Sequence, residues 1–119
     1  MSEPAITKDS GQREAFDSGA VRDVRTDKGR YDLVSPYALK RLAQLYERGS
    51  QKYVDRNWEK GMPSTRVFDS MIRHAFAWLA GENDEDHLAA VAWNAFALMH
   101  YEATHPEVDD RPNYGPRAD

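Results

Sequence analysis

Between Arg73 and Asn94 the sequence reads RHAFAWLAGENDEDHLAAVAWN, and it holds most of the side chains able to do chemistry. Glu82, Asp84, Glu85 and Asp86 fall within one short acidic turn, with His74 before it and His87 and Asn94 after it. Carboxylates are the natural ligands of Mg²⁺, which keeps several waters and commonly bridges acids to substrate phosphates. Glu47, on an upstream helix, joins Glu82, Glu85 and Asp86 if that helix packs against the turn, and four acids from two elements suffice for one or two ions. The plainer alternative is a solvated loop, because acids beside a helix N-terminus are ordinary partners of its dipole.

A second set of groups suits phosphate and base-edge recognition. Lys52, Arg56, Asn57 and Lys60 cluster after the first helical stretch, and Arg73 and His74 sit late in the second. Taken singly, each is as well explained by a charged surface, and His74 by a structural hydrogen bond. His87 and Asn94 are harder to explain away. They fall on a helix that should be buried, and buried polar groups need partners. Trp58 lies in a loop, where it either plugs the edge of the core or makes a stacking wall for a ligand. There is no cysteine, which excludes disulfides, thiolate zinc sites and a cysteine nucleophile. No glycine-rich phosphate loop, GxSxG or HExxH is present, so an enzyme here would use metal-assisted attack by water.

The elements that must position these groups are helices. At 119 residues the chain is one domain by size. Its net charge of −4 argues against a nucleic-acid partner. No apolar run approaches the roughly 20 residues of a membrane helix, and the opening MSEPAITKDSGQRE lacks a signal-peptide core, which together point to the cytoplasm. Residues 1–18 are polar and read as a disordered lead-in. Residues 19–34 interleave Arg22, Arg25, Lys28 and Arg30 with apolar groups and read as an arm, partly extended, or as a charged loop. Ser35 and Pro36 are a cap and first residue for a first helix, whose apolar spacing through Leu39, Leu42 and Tyr46 predicts continuation to about Tyr53. Residues 54–63 are a loop. A second helix is predicted from about Ser64 to Ala80, ended by Gly81, with Asp69 and Arg73 spaced to pair. Asn83 or Asp84 then caps a third helix from about Glu85 to Ala103.

That third helix is apolar nearly all round. Three helices of this length leave too little surface to cover it, which predicts a homodimer or a higher homo-oligomer. One stripe differs: His87, Ala90, Asn94, Ala97 and Tyr101 are small or polar, leaving room for a ligand or for close packing against another backbone. Residues 104–119, with their prolines and alternating charges, read as a flexible tail.

The run YDLVSPYALKRLAQLYERGSQKYVDRNWEKG, followed by RHAFAWLAGENDEDHLAAVAWNAFAL, resembles the phage-associated dATP/dGTP diphosphohydrolase family. That family is related to the MazG-like nucleotide pyrophosphohydrolases. The resemblance covers roughly residues 16–103 and implies an all-α, MazG-like bundle of three main helices per chain, completed by oligomerisation. It further implies a Mg²⁺-dependent pyrophosphohydrolase that cleaves dATP or dGTP to monophosphate and pyrophosphate. Under it, Glu47 and Glu82 are the expected catalytic carboxylates, and Glu47, Glu82, Glu85 and Asp86 the Mg²⁺ ligands. Lys52, Arg56, Asn57, Arg73 and His74 would hold phosphates, and Trp58, His87 and Asn94 would contact base or sugar. The chain departs from the MazG-like ExxE and ExxD pattern, offering Gln44-x-x-Glu47, His87-x-x-Ala90 and, in the turn, Glu82-x-x-Glu85. The alternative is a non-catalytic helical module that binds a nucleotide or a protein.

Overall fold

The computed structural model describes residues 9–116. The first eight residues of the expected lead-in and the last three of the expected tail lie outside them. The chain divides into two compact units at Val34/Ser35.

The first unit holds two short strands, β1 (Arg13–Ala15) and β2 (Val21–Asp23), paired antiparallel with Glu14 opposite Arg22. β1 lies in the stretch read as a lead-in. Gly19, at φ 90°, makes the reversal between the strands, and its N–H bonds the Phe16 carbonyl at 2.9 Å. Asp23 gathers the unit together: its carboxylate takes hydrogen bonds from the Ser10 hydroxyl, Lys28 Nζ and Arg13.

The second unit is helical, as the apolar spacing predicted. α1 spans Pro36–Ser50, α2 Ser64–Leu79 and α3 His87–Thr104. Ser35 caps α1, its hydroxyl accepting from the Ala38 N–H at 3.2 Å, and Pro36 follows at the first position. Gly81, at φ 79°, follows the end of α2.

Two helix boundaries differ from those expected. α1 stops at Ser50 rather than Tyr53. Gly49 weakens the helix there, and the Ser50 hydroxyl bonds the Glu47 carbonyl at 2.7 Å, competing with the helical ladder. The cap of α3 is Asp86, not Asn83 or Asp84: Asp86 accepts from the Ala89 N–H at 3.0 Å. Glu85 therefore belongs to the turn, and Asp84 is engaged elsewhere, on the His87 ring.

α3 is the centre of this unit and packs on both α2 and α1. Its buried residues are His87, Ala89, Ala90, Asn94, Ala97 and Tyr101, which include the whole stripe of small and polar groups. Ala97 and Tyr101 form the core with Val67 of α2, and Trp58, Met62, Trp93, Leu98 and Val108 close around it. Trp58 arrives on a short 3-10 turn, Asn57–Lys60. The Tyr101 hydroxyl donates to the Trp58 carbonyl and ties that turn to α3.

Residues 105–110 lie in the segment read as a tail. There His105 Nε2 meets the Glu59 carbonyl at 2.7 Å, and Val108 packs on the core. Asp110 accepts from the Thr65 N–H at 2.8 Å and the Thr65 hydroxyl at 2.7 Å. Pro63, which precedes α2, has no capping side chain, so Asp110 does from a distance in sequence what a local cap would do.

Candidate functional site

A cleft of about 1140 Å³ opens between the end of α1, the loop after it, the third turn of α2 and the start of α3. This is slightly above the usual range of ligand-pocket sizes, roughly 300–1,000 Å³. Its three sides have different chemistry, and each follows from where a helix begins or ends.

One side is aromatic. Tyr46, Trp58 and Trp93 line the cleft and form a triangle with ring centroids 6.0, 6.1 and 6.2 Å apart. These rings are half-buried, so they close the core from one direction and offer faces and edges to the cleft from the other. Trp58 thus packs on the core and also lines the cleft.

The second side is cationic. Arg48 in the last turn of α1, then Lys52 and Arg56, line the cleft together with Asn57. Arg48 and Lys52 form no ion pair among the described residues. Arg56 pairs with Glu59 at 2.6 Å and has φ 63°, an unusual left-handed conformation for a side chain of its size.

The third side carries imidazoles and carboxylates. His74 Nδ1 and His87 Nδ1 face each other at 2.9 Å. His87 Nε2 is 2.7 Å from Asp84 Oδ1, and Glu85 Oε1 is 3.8 Å from His74 Nδ1. The hydrogen bond that His87 donates to Asp84, aided by the carboxylate's charge, raises the His87 pKa above the ordinary histidine value, and His87 in turn lowers that of Asp84. His87 is buried and His74 half-buried, while the two acids are exposed. Short connection explains the convergence: α2 ends, seven residues turn, and α3 starts with His87 at its first position.

Of the expected phosphate- and base-binding residues, Lys52, Arg56, Asn57, Trp58, His74 and Asn94 line this cleft, as do Glu85 and Asp86. Asn94 is buried; its Nδ2 donates to the Ala90 carbonyl at 2.8 Å, the i−4 bond of its own helix. His87 sits behind His74. Arg73 points elsewhere and pairs with Asp69 at 3.1 Å. Glu47 and Glu82 are exposed and do not line the cleft. Asp86 receives a two-pronged bond from Arg41, at 2.7 and 2.9 Å, which with its capping role lowers its pKa to about 2. The four acids expected to hold Mg²⁺ therefore do not converge. Among the described residues, the three-member group of histidine and acidic ligand atoms is His74, Glu85 and His87, all within 4.8 Å of one another. That donor set of two nitrogens and one oxygen is a poor match for the all-oxygen preference of Mg²⁺.

Sequence reasoning passed over Tyr46, Trp93 and Arg48, which read as helix faces, and gave Asp84 no ligand-binding role. Only the spacing of Asp84 and His87, three apart, hinted at their contact. No helix of the described residues is long and apolar enough to cross a membrane.

These features define a mostly helical protein with a cleft between helix ends that is lined by aromatic, cationic and acidic side chains. The chain belongs to the family described as dATP/dGTP diphosphohydrolase, N-terminal, which matches residues 18–111. No curated protein and no solved structure gives a match.

Proposed function

We propose that the cleft binds a purine deoxynucleoside triphosphate and hydrolyses it to the monophosphate and pyrophosphate. The observation that carries this is the placement of three cations, an aromatic wall and an exposed carboxylate around one cleft, in a chain of this family. Arg48, Lys52 and Arg56 hold the phosphates as charge partners. Trp58, flanked by Tyr46 and Trp93, stacks on the base, and Asn94 offers its amide to base or sugar. Mg²⁺ enters as part of the substrate, riding on the triphosphate, where it neutralises charge and lowers the pKa of a bound water. Glu85 is a cleft carboxylate without a strong cationic partner and stands beside the imidazole pair. It orients the attacking water and accepts its proton. A water oxygen bonds to the α-phosphorus, the bond to the α–β bridging oxygen breaks, and pyrophosphate leaves with that electron pair.

The test is pyrophosphate against phosphate release from each of the four deoxynucleoside triphosphates, with Mg²⁺ and with chelator. Metal-dependent pyrophosphate from dATP or dGTP is expected. A folded protein that binds these nucleotides but releases nothing would instead be the non-catalytic binding module. The retreat of Glu47 and Glu82 from the cleft favours that second reading.

The same chain is proposed to act as a homo-oligomer. Phe68, Phe76 and Leu79 on α2 and Leu88, Phe96 and Met99 on α3 are all exposed, while Tyr101 is the largest side chain fully buried. Light scattering at micromolar concentration is expected to give at least a dimer.

A further inference from the structure

We propose that His74, Glu85 and His87 form a binding site for one nitrogen-preferring divalent ion of the Zn²⁺ or Co²⁺ class, separate from any Mg²⁺ carried by a nucleotide. The proposal rests on this cluster alone and holds whether or not the nucleotide reading does.

Three features point to it. The first is the donor set. Two imidazoles and one carboxylate, with a position left for water, is a known arrangement for catalytic zinc. The second is spacing. Zn–N bonds of about 2.0–2.1 Å at tetrahedral angles place two ligand nitrogens roughly 3.3 Å apart. The two Nδ1 atoms stand at 2.9 Å, Glu85 Oε1 is 3.8 Å from His74 Nδ1, and the three ligand atoms all lie within 4.8 Å of one another, so rotation of these side chains is what would bring them onto one ion.

The third is the orientation of His87. Its Nε2 faces Asp84 Oδ1 at 2.7 Å, so the ring gives that carboxylate its Nε2–H. In the neutral ring, Nδ1 is then a lone pair aimed into the cluster. A carboxylate behind a ligating histidine fixes its tautomer and raises its basicity in the same manner. Without metal, the His74 Nδ1–H satisfies that lone pair by hydrogen bonding. With metal, His74 carries its proton on Nε2 and both Nδ1 atoms face the ion. His74, Asp84 and Glu85 line the cleft, so the ion would be reached from it. A Mg²⁺ ion gains little from this set, because it prefers oxygen ligands and dehydrates reluctantly.

The experiment uses the full chain without a histidine tag, stripped of metal and free of nucleotide. It is titrated with Co²⁺ by visible absorption and with Zn²⁺ by calorimetry, each with and without excess Mg²⁺. The expected result is one equivalent bound, with the intense visible bands of low-coordinate Co²⁺, undisturbed by Mg²⁺. Glu85→Gln and His74→Ala, both at accessible positions, are expected to weaken binding at least 10-fold. Asp84→Asn is expected to weaken it about 10–100-fold without changing the stoichiometry. His87→Ala is informative only if circular dichroism finds it folded, and the first two variants keep the test decisive if it is not. The site is overturned if folded wild-type protein gives no Co²⁺ spectrum, if Mg²⁺ displaces the ion at comparable concentration, or if Glu85→Gln and His74→Ala both bind as wild type. Nucleotide hydrolysis is scored separately, so loss of one proposal leaves the other standing.

Discussion

The two ends of α3 share one buried stripe and put it to opposite uses. At the C-terminal end Ala97 and Tyr101 are sealed against Val67, Trp58 and Val108, and the Tyr101 hydroxyl has a single backbone partner. At the N-terminal end His87, Ala90 and Asn94 occupy the same face, but they meet a turn, a helix end and a cleft instead of a packed wall. Burial is similar at both ends. The difference is what covers the helix: side chains of one core, or three short segments that leave a gap. A helix start also brings free N–H groups, which explains the Asp86 cap there, whereas at the sealed end the imidazole of His105 is spent on the Glu59 carbonyl and the Glu107 carboxylate.

That contrast can be broken at either end. The largest effect is expected from Tyr101→Ala, which removes a fully buried ring and leaves a cavity. It should cost about 3–5 kcal/mol of unfolding free energy in a denaturant titration, by analogy with other aromatic truncations. His74→Ala at the open end should cost no more than about 1.5 kcal/mol, the value of one lost hydrogen bond. Equal losses at both ends would mean that the polar end is core as well.

Next in size is a change in activity alone. Glu85→Gln should lower turnover by about 10²-fold or more, the ordinary contribution of an acid–base group, with the unfolding midpoint unchanged. Glu47→Gln and Glu82→Gln lie outside the cleft and should stay within a few-fold of wild type. Loss of turnover in those two, and not in Glu85→Gln, would move the chemistry off the open end of α3.

A smaller effect sharpens the sealed end. Ala97→Leu adds bulk where no space exists and should cost about 1–3 kcal/mol. The smallest concerns Asp110, whose bonds to Thr65 hold its pKa below the usual carboxylate value. Its contribution to stability is fully present above that usual value, near 4, and is lost as pH falls through the lowered one. The thermal midpoint of Asp110→Asn should therefore fall short of wild type at neutral pH, and the gap should close on acidification. A gap that persists in acid would assign the loss to packing instead of charge.

Much of the fold was legible because it is written locally. The Ser35-Pro36 start, the 3.6-residue apolar spacing, Gly81 after α2 and the Asp69–Arg73 pair each depend on neighbours within one or two turns. The buried stripe of α3 could be read because it alone was small and polar. The acidic turn stood out in the sequence, but its members could not be sorted. Asp86 looks like Glu82 in sequence until Arg41, 45 residues away, takes it as a partner. His74 and His87 looked like separate phosphate and sugar contacts because nothing local brings two Nδ1 atoms together.

The sequence by itself determined that three amphipathic or apolar helices form, roughly where they begin and end, and that polar groups interrupt the most buried of them. Backbone propensity, capping and periodicity act over a few residues, and each is present in the string. Only the tertiary structure decided which acids face a cleft and which are spent on Arg41 or on solvent. It alone placed Tyr46 and Trp93 beside Trp58, and let Asp110 cap a helix that begins at Ser64. Those outcomes depend on how helix ends meet across long sequence separations, and a hydrogen bond of 3 Å or a donor cluster of 5 Å is far finer than any periodic pattern can specify.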